Sequence, residues 1–372
     1  MLFRDLLVIA TLGTLSASLG CGAVSDPSGD GSDPGSDPAG TGSGTGSGSG
    51  SGSGSAAQPP APGTLVATLF RGGPYRTPIK ANPAIDPRSR DYLALLDGPL
   101  AANTVKFGVT VRYSSAKDPS YVIEMTPPGG EDWGQPFDQQ VTTADGTERC
   151  NPLHIPDDLS APPGDEIWRD GWVYIIDTSK RVQLICAIWQ ASKVGNQWTG
   201  SFGGVLDARG TGTVLAGSIS GSNIPHNPVL ASEVQRGVID HALSFGSSKN
   251  DPVVFRAPAT KTDGKGQPGQ LQQGMHFQLD PAYDCGGLAN RVERMVCTAL
   301  QKYGMYDNDS TTGSNGFLFE TDDLGDPAKA PPARPGDYSR PGGLYQTSGL
   351  SYDYQTFPGI PLDRMRLLQA GN

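Results

Sequence analysis

From residue 64 onward the chain is a succession of short apolar or alternating runs broken by Gly, Pro and Asp. Period-two or β-branched runs predict strands at Thr64–Phe70, Thr104–Tyr113, Tyr121–Met125, Trp172–Asp177, Val182–Trp189, Trp198–Phe202, Thr213–Ser218, Val253–Arg256, Met275–Leu279, Gly316–Thr321 and Met365–Leu368. Two stretches have helical spacing instead. Asn290–Tyr303 sets Val292, Met295, Val296, Ala299, Leu300 and Tyr303 on one face, with Gly304 as the stop. A shorter helix opens at Asn227-Pro228 and ends before Gly237. Ile239, His241, Leu243 and Phe245 then alternate with Val238, Asp240, Ala242 and Ser244, which predicts a strand over Gly237–Phe245 with His241 inward. Residues 324–350 are rich in Pro, Gly and Asp and read as a long surface loop. The sum is an all-β antiparallel sandwich with two short helices at its periphery.

The first 63 residues follow other rules. Arg4, an apolar run from Leu6 to Leu15 and small residues up to Gly20-Cys21 have the layout of an export signal over residues 1–20. Cys21 is then the candidate lipidation site, although Ser18 stands where Leu is usual. Residues 22–63 hold no aromatic residue, Lys or Arg, and cannot bury enough apolar surface to fold. They predict a tether reaching about 36 Å, with 64–372 as a single folded domain. The expected location is the bacterial cell envelope as a lipoprotein, or the extracellular space, with membrane contact only through the lipid.

Composition narrows the partners. Against 38 Asp+Glu the 372 residues carry 28 Lys+Arg, a net charge of -10. A nucleic-acid binder needs a basic surface, so that class is set aside. Four cysteines follow Cys21: Cys150, Cys186, Cys285 and Cys297. An even number in an exported chain favours disulfides. Three connectivities exist, and pairing Cys150 with Cys186 and Cys285 with Cys297 closes the shorter loops. A zinc site would need clustered ligands, which are absent. Asp307-Asn-Asp309 opens like a calcium loop, but Thr312 and Leu318 occupy the positions of its Gly and Glu. Phosphate-loop, dinucleotide and hydrolase-elbow motifs are absent, so no cofactor or metal is expected.

The quoted segments also carry a resemblance. Tyr75-Arg-Thr-Pro-Ile79, Gly98-Pro-Leu100, Trp189-Gln-Ala191, Gly203-Gly204, Gly237-Val-Ile-Asp-His-Ala-Leu243, Pro258-Ala-Thr-Lys-Thr-Asp-Gly264, Gln278-Leu-Asp280, Ala299-Leu-Gln-Lys-Tyr-Gly304 and Pro361-Leu-Asp-Arg-Met-Arg366 form a set. Together they resemble a family of secreted bacterial proteins, common in actinobacteria, with relatives among phage tail proteins. The resemblance covers most of residues 70–368 and implies a jelly-roll sandwich of the lectin/glucanase kind. It brings no settled activity. Ala187-Ile188 replace an acidic or aromatic pair that members often have before Trp189, so no catalytic acid is expected on that strand.

Two functions fit: an enzyme acting on polysaccharide, hydrolase or lyase, and a non-catalytic module binding a cell-surface glycan. Hydrolysis needs two carboxylates across a cleft, and Asp165, Glu166, Asp170, Glu233, Asp240, Asp263 and Glu320 are the candidates. A lyase needs a base with a cation beside it, for which His241, Lys261, Arg256 and Tyr174 would have to converge. The catalytic set expected is therefore His241, Asp240 and Lys261. Substrate binding falls to Trp198 and Trp133, the tryptophans in the most polar surroundings, with Arg256. An enzyme needs titratable groups that converge, whereas a binder needs only aromatics and amides.

Overall fold

A computed structural model describes residues 73–371, apart from 97, 127–135, 144–145, 160–170, 183, 209–213, 217–226, 312–314 and 323–331. The chain divides into two units at Ala56–Ala57, and every described residue belongs to the second. The expected signal, Cys21, the tether, the strand Thr64–Phe70 and Trp133 lie outside the described residues.

Two mixed sheets dominate. Their strands are β1 (Ala101–Asn103), β2 (Val109–Ser114), β3 (Trp172–Asp177), β4 (Leu184–Trp189), β5 (Phe202–Asp207), β6 (Val214–Ala216), β7 (Leu243–Ser247), β8 (His276–Leu279), β9 (Met305–Ser310), β10 (Gly316–Phe317), β11 (Tyr354–Thr356) and β12 (Met365–Leu367). The seven-stranded sheet has the order β11-β1-β10-β7-β9-β8-β12, and the five-stranded sheet the order β6-β5-β4-β3-β2. The fold is β-rich and laid out in several sheets, as the pattern indicates. The pairing corrects the antiparallel expectation: β1 with β10, β7 with β9 and β2 with β3 run parallel.

Helices α1 (Ser89–Leu93), α2 (Ala231–Arg236), α3 (Arg291–Lys302) and α4 (Leu344–Thr347) accompany the seven-stranded sheet. Its core joins Val292, Val296 and Leu300 of α3 to Phe245, Phe277 and Met305. Helix α3 starts where the Asn290 side chain accepts from the amides of Val292 and Glu293, at 2.8 and 3.1 Å. It stops at Gly304, whose φ of +76° suits glycine. A disulfide joins Cys297 on this helix to Cys285, and a second joins Cys150 to Cys186. Both pairings match the short-loop expectation and mark an extracytoplasmic protein. No helix among the described residues is long and apolar enough to cross a membrane.

The five-stranded sheet is buried on both faces, which is why β3 and β4 read as unbroken apolar runs. Val173, Ile175, Cys186 and Ile188 meet Ile123, Phe137 and Trp198 on one side. On the other, Trp172, Tyr174, Ile185, Ala187 and Phe202 cluster with Val109, and Leu318 packs against them.

Some elements differ from expectation. Val253–Arg256 is an exposed loop, because the Asp251 carboxylate accepts from the amides of Val253 and Val254 and bends the chain. The strand expected over Gly237–Phe245 begins only at Leu243. Gly237 ends α2 at φ +82°, and residues 238–242 are irregular. The loop 324–350 contains α4 and the buried Ser339 and Arg340.

The two sheets are joined by a pair of parallel crossing segments. Ala101 and Ala102 pair with Gly316 and Phe317 in the larger sheet, and Val109 pairs with Glu320 at the edge of the smaller. Val109 donates to the Phe319 carbonyl and Thr321 donates back to Val109, each at 2.9 Å. Gly108 makes this approach feasible: a Cβ there would lie 2.5 Å from Thr321 Cβ. Gly108→Ala is therefore expected to destabilise the protein by about 1–3 kcal/mol, the usual cost of overpacking, read from denaturant unfolding.

Candidate functional site

The crossing places a carboxylate at the end of an aromatic row. Register sets Glu320 beside Val109, Val109 beside Trp172, and Trp189 beside Phe202. Trp172 and Trp189 are neighbours with ring centroids 6.5 Å apart. Paired residues project from one face of a sheet, so Glu320, Val109, Trp172, Trp189 and Phe202 line a single transverse row. With strands about 4.8 Å apart, it runs roughly 19 Å. Trp189 is half-buried, while Trp172 and Phe202 are 8% and 3% exposed.

Glu320 is held on both oxygens. Oε2 accepts from the Ala231 amide at 2.9 Å and Oε1 from the Tyr338 hydroxyl at 3.3 Å. Its backbone carbonyl accepts from the Tyr345 hydroxyl at 2.7 Å. Burial pushes its carboxyl up to about 7, and the charge of Asp322 adds to the rise. The Ala231 amide, Arg112 and Tyr338 pull the other way without cancelling it. Glu320 can therefore hold or release a proton near neutrality, as a general acid or base requires.

Asp322 lies two residues further along this extended segment. Its Oδ2 accepts from the amides of Tyr338, Ser339 and Arg340, at 3.0, 2.7 and 3.2 Å, and from the Ser339 hydroxyl at 3.2 Å. Burial raises its carboxyl too, but the donors partly offset this and favour the anion. Tyr113, on the same sheet face as Val109, is pushed up by burial and then by the Glu320 charge.

A second polar cluster is centred on a buried carboxylate. Asp307 on β9 is fully buried. It accepts from the Asn250 amide at 2.7 Å through Oδ2, and Oδ1 has no hydrogen bond among the described residues. Burial drives its carboxyl far upward, with Asp263 adding to the rise. Asp263 is half-buried, bonded to the Gln273 amide and raised by its burial. Among the described residues, no group of three or more His, Cys, Asp or Glu side chains could hold a metal ion.

The expected catalytic set does not assemble. His241 is 2% exposed, with Nε2 2.9 Å from Glu233 Oε2 and Nδ1 2.8 Å from the Ala242 carbonyl. Both ring nitrogens are engaged inside the core, so His241 is inward, as expected, but closed to substrate. Asp240 pairs with Arg76 at 2.8 Å and shares Arg236 with Glu233, each carboxylate 3.9 Å from Nη2. Burial opposes ionisation of Asp240, yet Arg76 pulls its carboxyl down. Arg256 is tied to Asp86 at 2.9 Å and Gln272 at 2.7 Å, and so is spent on structure. Trp198 is buried against Tyr121 rather than offered to solvent. Its polar surroundings belong to the opposite face, where Gln197 is exposed, since adjacent strand residues face opposite ways. Lys261 alone reaches the aromatic row, its Nζ 5.4 Å from the centre of the Phe202 ring.

Glu320 was among the candidate carboxylates, but its partners Arg112, Tyr338 and Asp322 were not. No local motif joins them, because they come from three distant segments. Comparison with family models, with curated proteins and with solved structures finds no match.

The raised Glu320 carboxyl has a consequence for stability. Between the ordinary carboxyl value near 4.5 and about 7, the folded state holds a proton that the unfolded state has lost. The stability it confers is complete below that window and is lost as pH rises through it. Unfolding free energies across this range are expected to fall more steeply for the wild type than for Glu320→Gln, and parallel slopes would contradict it.

Proposed function

We propose that the chain is an exported glycan hydrolase in which the half-buried Trp189 receives a sugar ring, backed by the buried Trp172 and Phe202, and Glu320 supplies the proton. The observation behind this reading is a carboxyl near 7 at the end of an aromatic row. Aromatic faces stack on the apolar faces of sugars, and cleavage of a glycosidic bond needs a proton for the departing oxygen. Glu320 donates that proton. Water takes the place of the departing oxygen at the anomeric carbon, and Asp322, buried against the amides of Tyr338, Ser339 and Arg340, braces the segment that carries Glu320. Arg112 and Tyr338 hold the pair in place. The finer fold reading, a lectin/glucanase-like sandwich, and the likeness to secreted bacterial proteins belong to this proposal. So do the signal peptide, a lipid on Cys21 and a tether holding the domain off a membrane.

The test is incubation of the exported protein with a panel of polysaccharides, followed by reducing ends. Glu320→Gln is expected to lower turnover by about 10²–10⁴, the share of a general acid. Turnover by the wild type should decline as pH passes about 7, where Glu320 loses its proton. Trp189→Ala should raise KM more than it lowers kcat. Polysaccharide binding by the wild type with no reducing ends would instead establish the glycan-binding module.

A further inference from the structure

Lys261 closes the aromatic row at the end opposite Glu320. The loop that carries it is pinned at both sides. Ala259 is buried and donates to the Arg256 carbonyl at 2.8 Å. The Thr262 hydroxyl donates to the Asp251 carbonyl at 2.7 Å, and the Asp263 amide donates to Gln273 Oε1 at 3.2 Å. Gly264 lies so close to Asp251 that a Cβ would fall 2.2 Å from its carbonyl oxygen, which fixes the course of the loop. Lys261 is thus held over Phe202, half-buried.

The ammonium itself is poorly matched. Among the described residues it makes no hydrogen bond, and no carboxylate lies within 4.0 Å of it. The one acid acting on it, Asp263, does so from a distance. That carboxyl is itself raised by burial and engaged by Gln273. A cation taken partly out of water without a partner is costly unless a ligand completes it. The aromatic ring beneath offers some cation–π attraction but no directed acceptor.

We infer that Lys261 is a specificity residue that receives an anionic substituent, a carboxylate or a sulfate ester, on a sugar bound at Trp189, one strand away from the Phe202 ring that Lys261 covers. This rests on the proposal that the row binds glycan. The substrate class is then an acidic polysaccharide cleaved by a carboxyl roughly 19 Å from the anion site, a span of four strand spacings. The protein is acidic overall, at -10, so such a polymer is drawn by a local contact and not by long-range steering.

The experiment compares matched polymers that differ only in charge. Polygalacturonate is set against its methyl ester, and dextran sulfate against dextran, by isothermal calorimetry with the full-length protein. Reducing ends are measured separately. The wild type is expected to bind the charged member of at least one pair about tenfold more tightly, as one charge-assisted contact would give. Whichever pair shows the preference identifies carboxylate or sulfate. Lys261→Met keeps the stem packed on Phe202 and removes the charge. It should abolish the preference while leaving affinity for the neutral polymer and the melting temperature unchanged. Equal binding within both pairs, no binding to any polymer, or a preference that survives in Lys261→Met would overturn the inference. Binding with the expected preference but without reducing ends would sink the hydrolase reading and leave the role of Lys261 standing.

Discussion

The two sheets depend on one backbone contact. Residues 101–109 and 316–321 travel side by side from the larger sheet to the smaller, hydrogen-bonded at each end. Val229 joins the same ladder from the other side, donating to Leu318 and accepting from Glu320. A loose hinge would leave polar backbone groups buried without partners. Here the ladder satisfies them, and the aromatic face of the smaller sheet and the N-terminal end of α2 meet at Glu320. Burial at this joint withdraws the Glu320 carboxyl from water, and the same burial shifts its proton affinity toward neutrality. The architecture and the candidate chemistry thus share one cause.

Features governed by local rules were readable in the chain. Helix α3 announced itself through its apolar stripe, Asn290 and Gly304. The disulfides followed from loop length. Strand β3 was expected over the residues it occupies. Strand β9 was not readable, because Asp307, Asn308 and Asp309 give it the composition of a turn. Two of its buried polar side chains find partners far along the chain: Asn250 donates to Asp307, and Asn308 donates to Ser244. The run Val253-Val254-Phe255 erred in the other direction. It has the composition of a strand but sits exposed on a loop that Asp251 bends.

The candidate site was legible only in fragments, for the same reason. Glu320 and Lys261 were named as candidates, but Trp172 and Trp189 were passed over for Trp198 and Trp133, and no spacing in the chain says that the four share a row. The row exists through strand register, and one residue of slip would turn every member to the opposite face. His241 shows the converse. It was expected among the catalytic residues, yet Glu233 takes its imidazole into the core while Arg76 pairs with Asp240. Buried polar groups find partners across the fold, and proximity in the chain is a poor guide to them.

The most direct test of the account is the titration of Glu320 in the folded protein, followed by the carbon-13 chemical shift of its side-chain carboxyl, with Glu320→Gln used to assign the signal. If the joint between the sheets withdraws this group from water, its midpoint falls at about 7. A midpoint near the ordinary value of about 4.5 would show a solvated carboxylate, and neither the joint nor the proposed proton donor would stand as described.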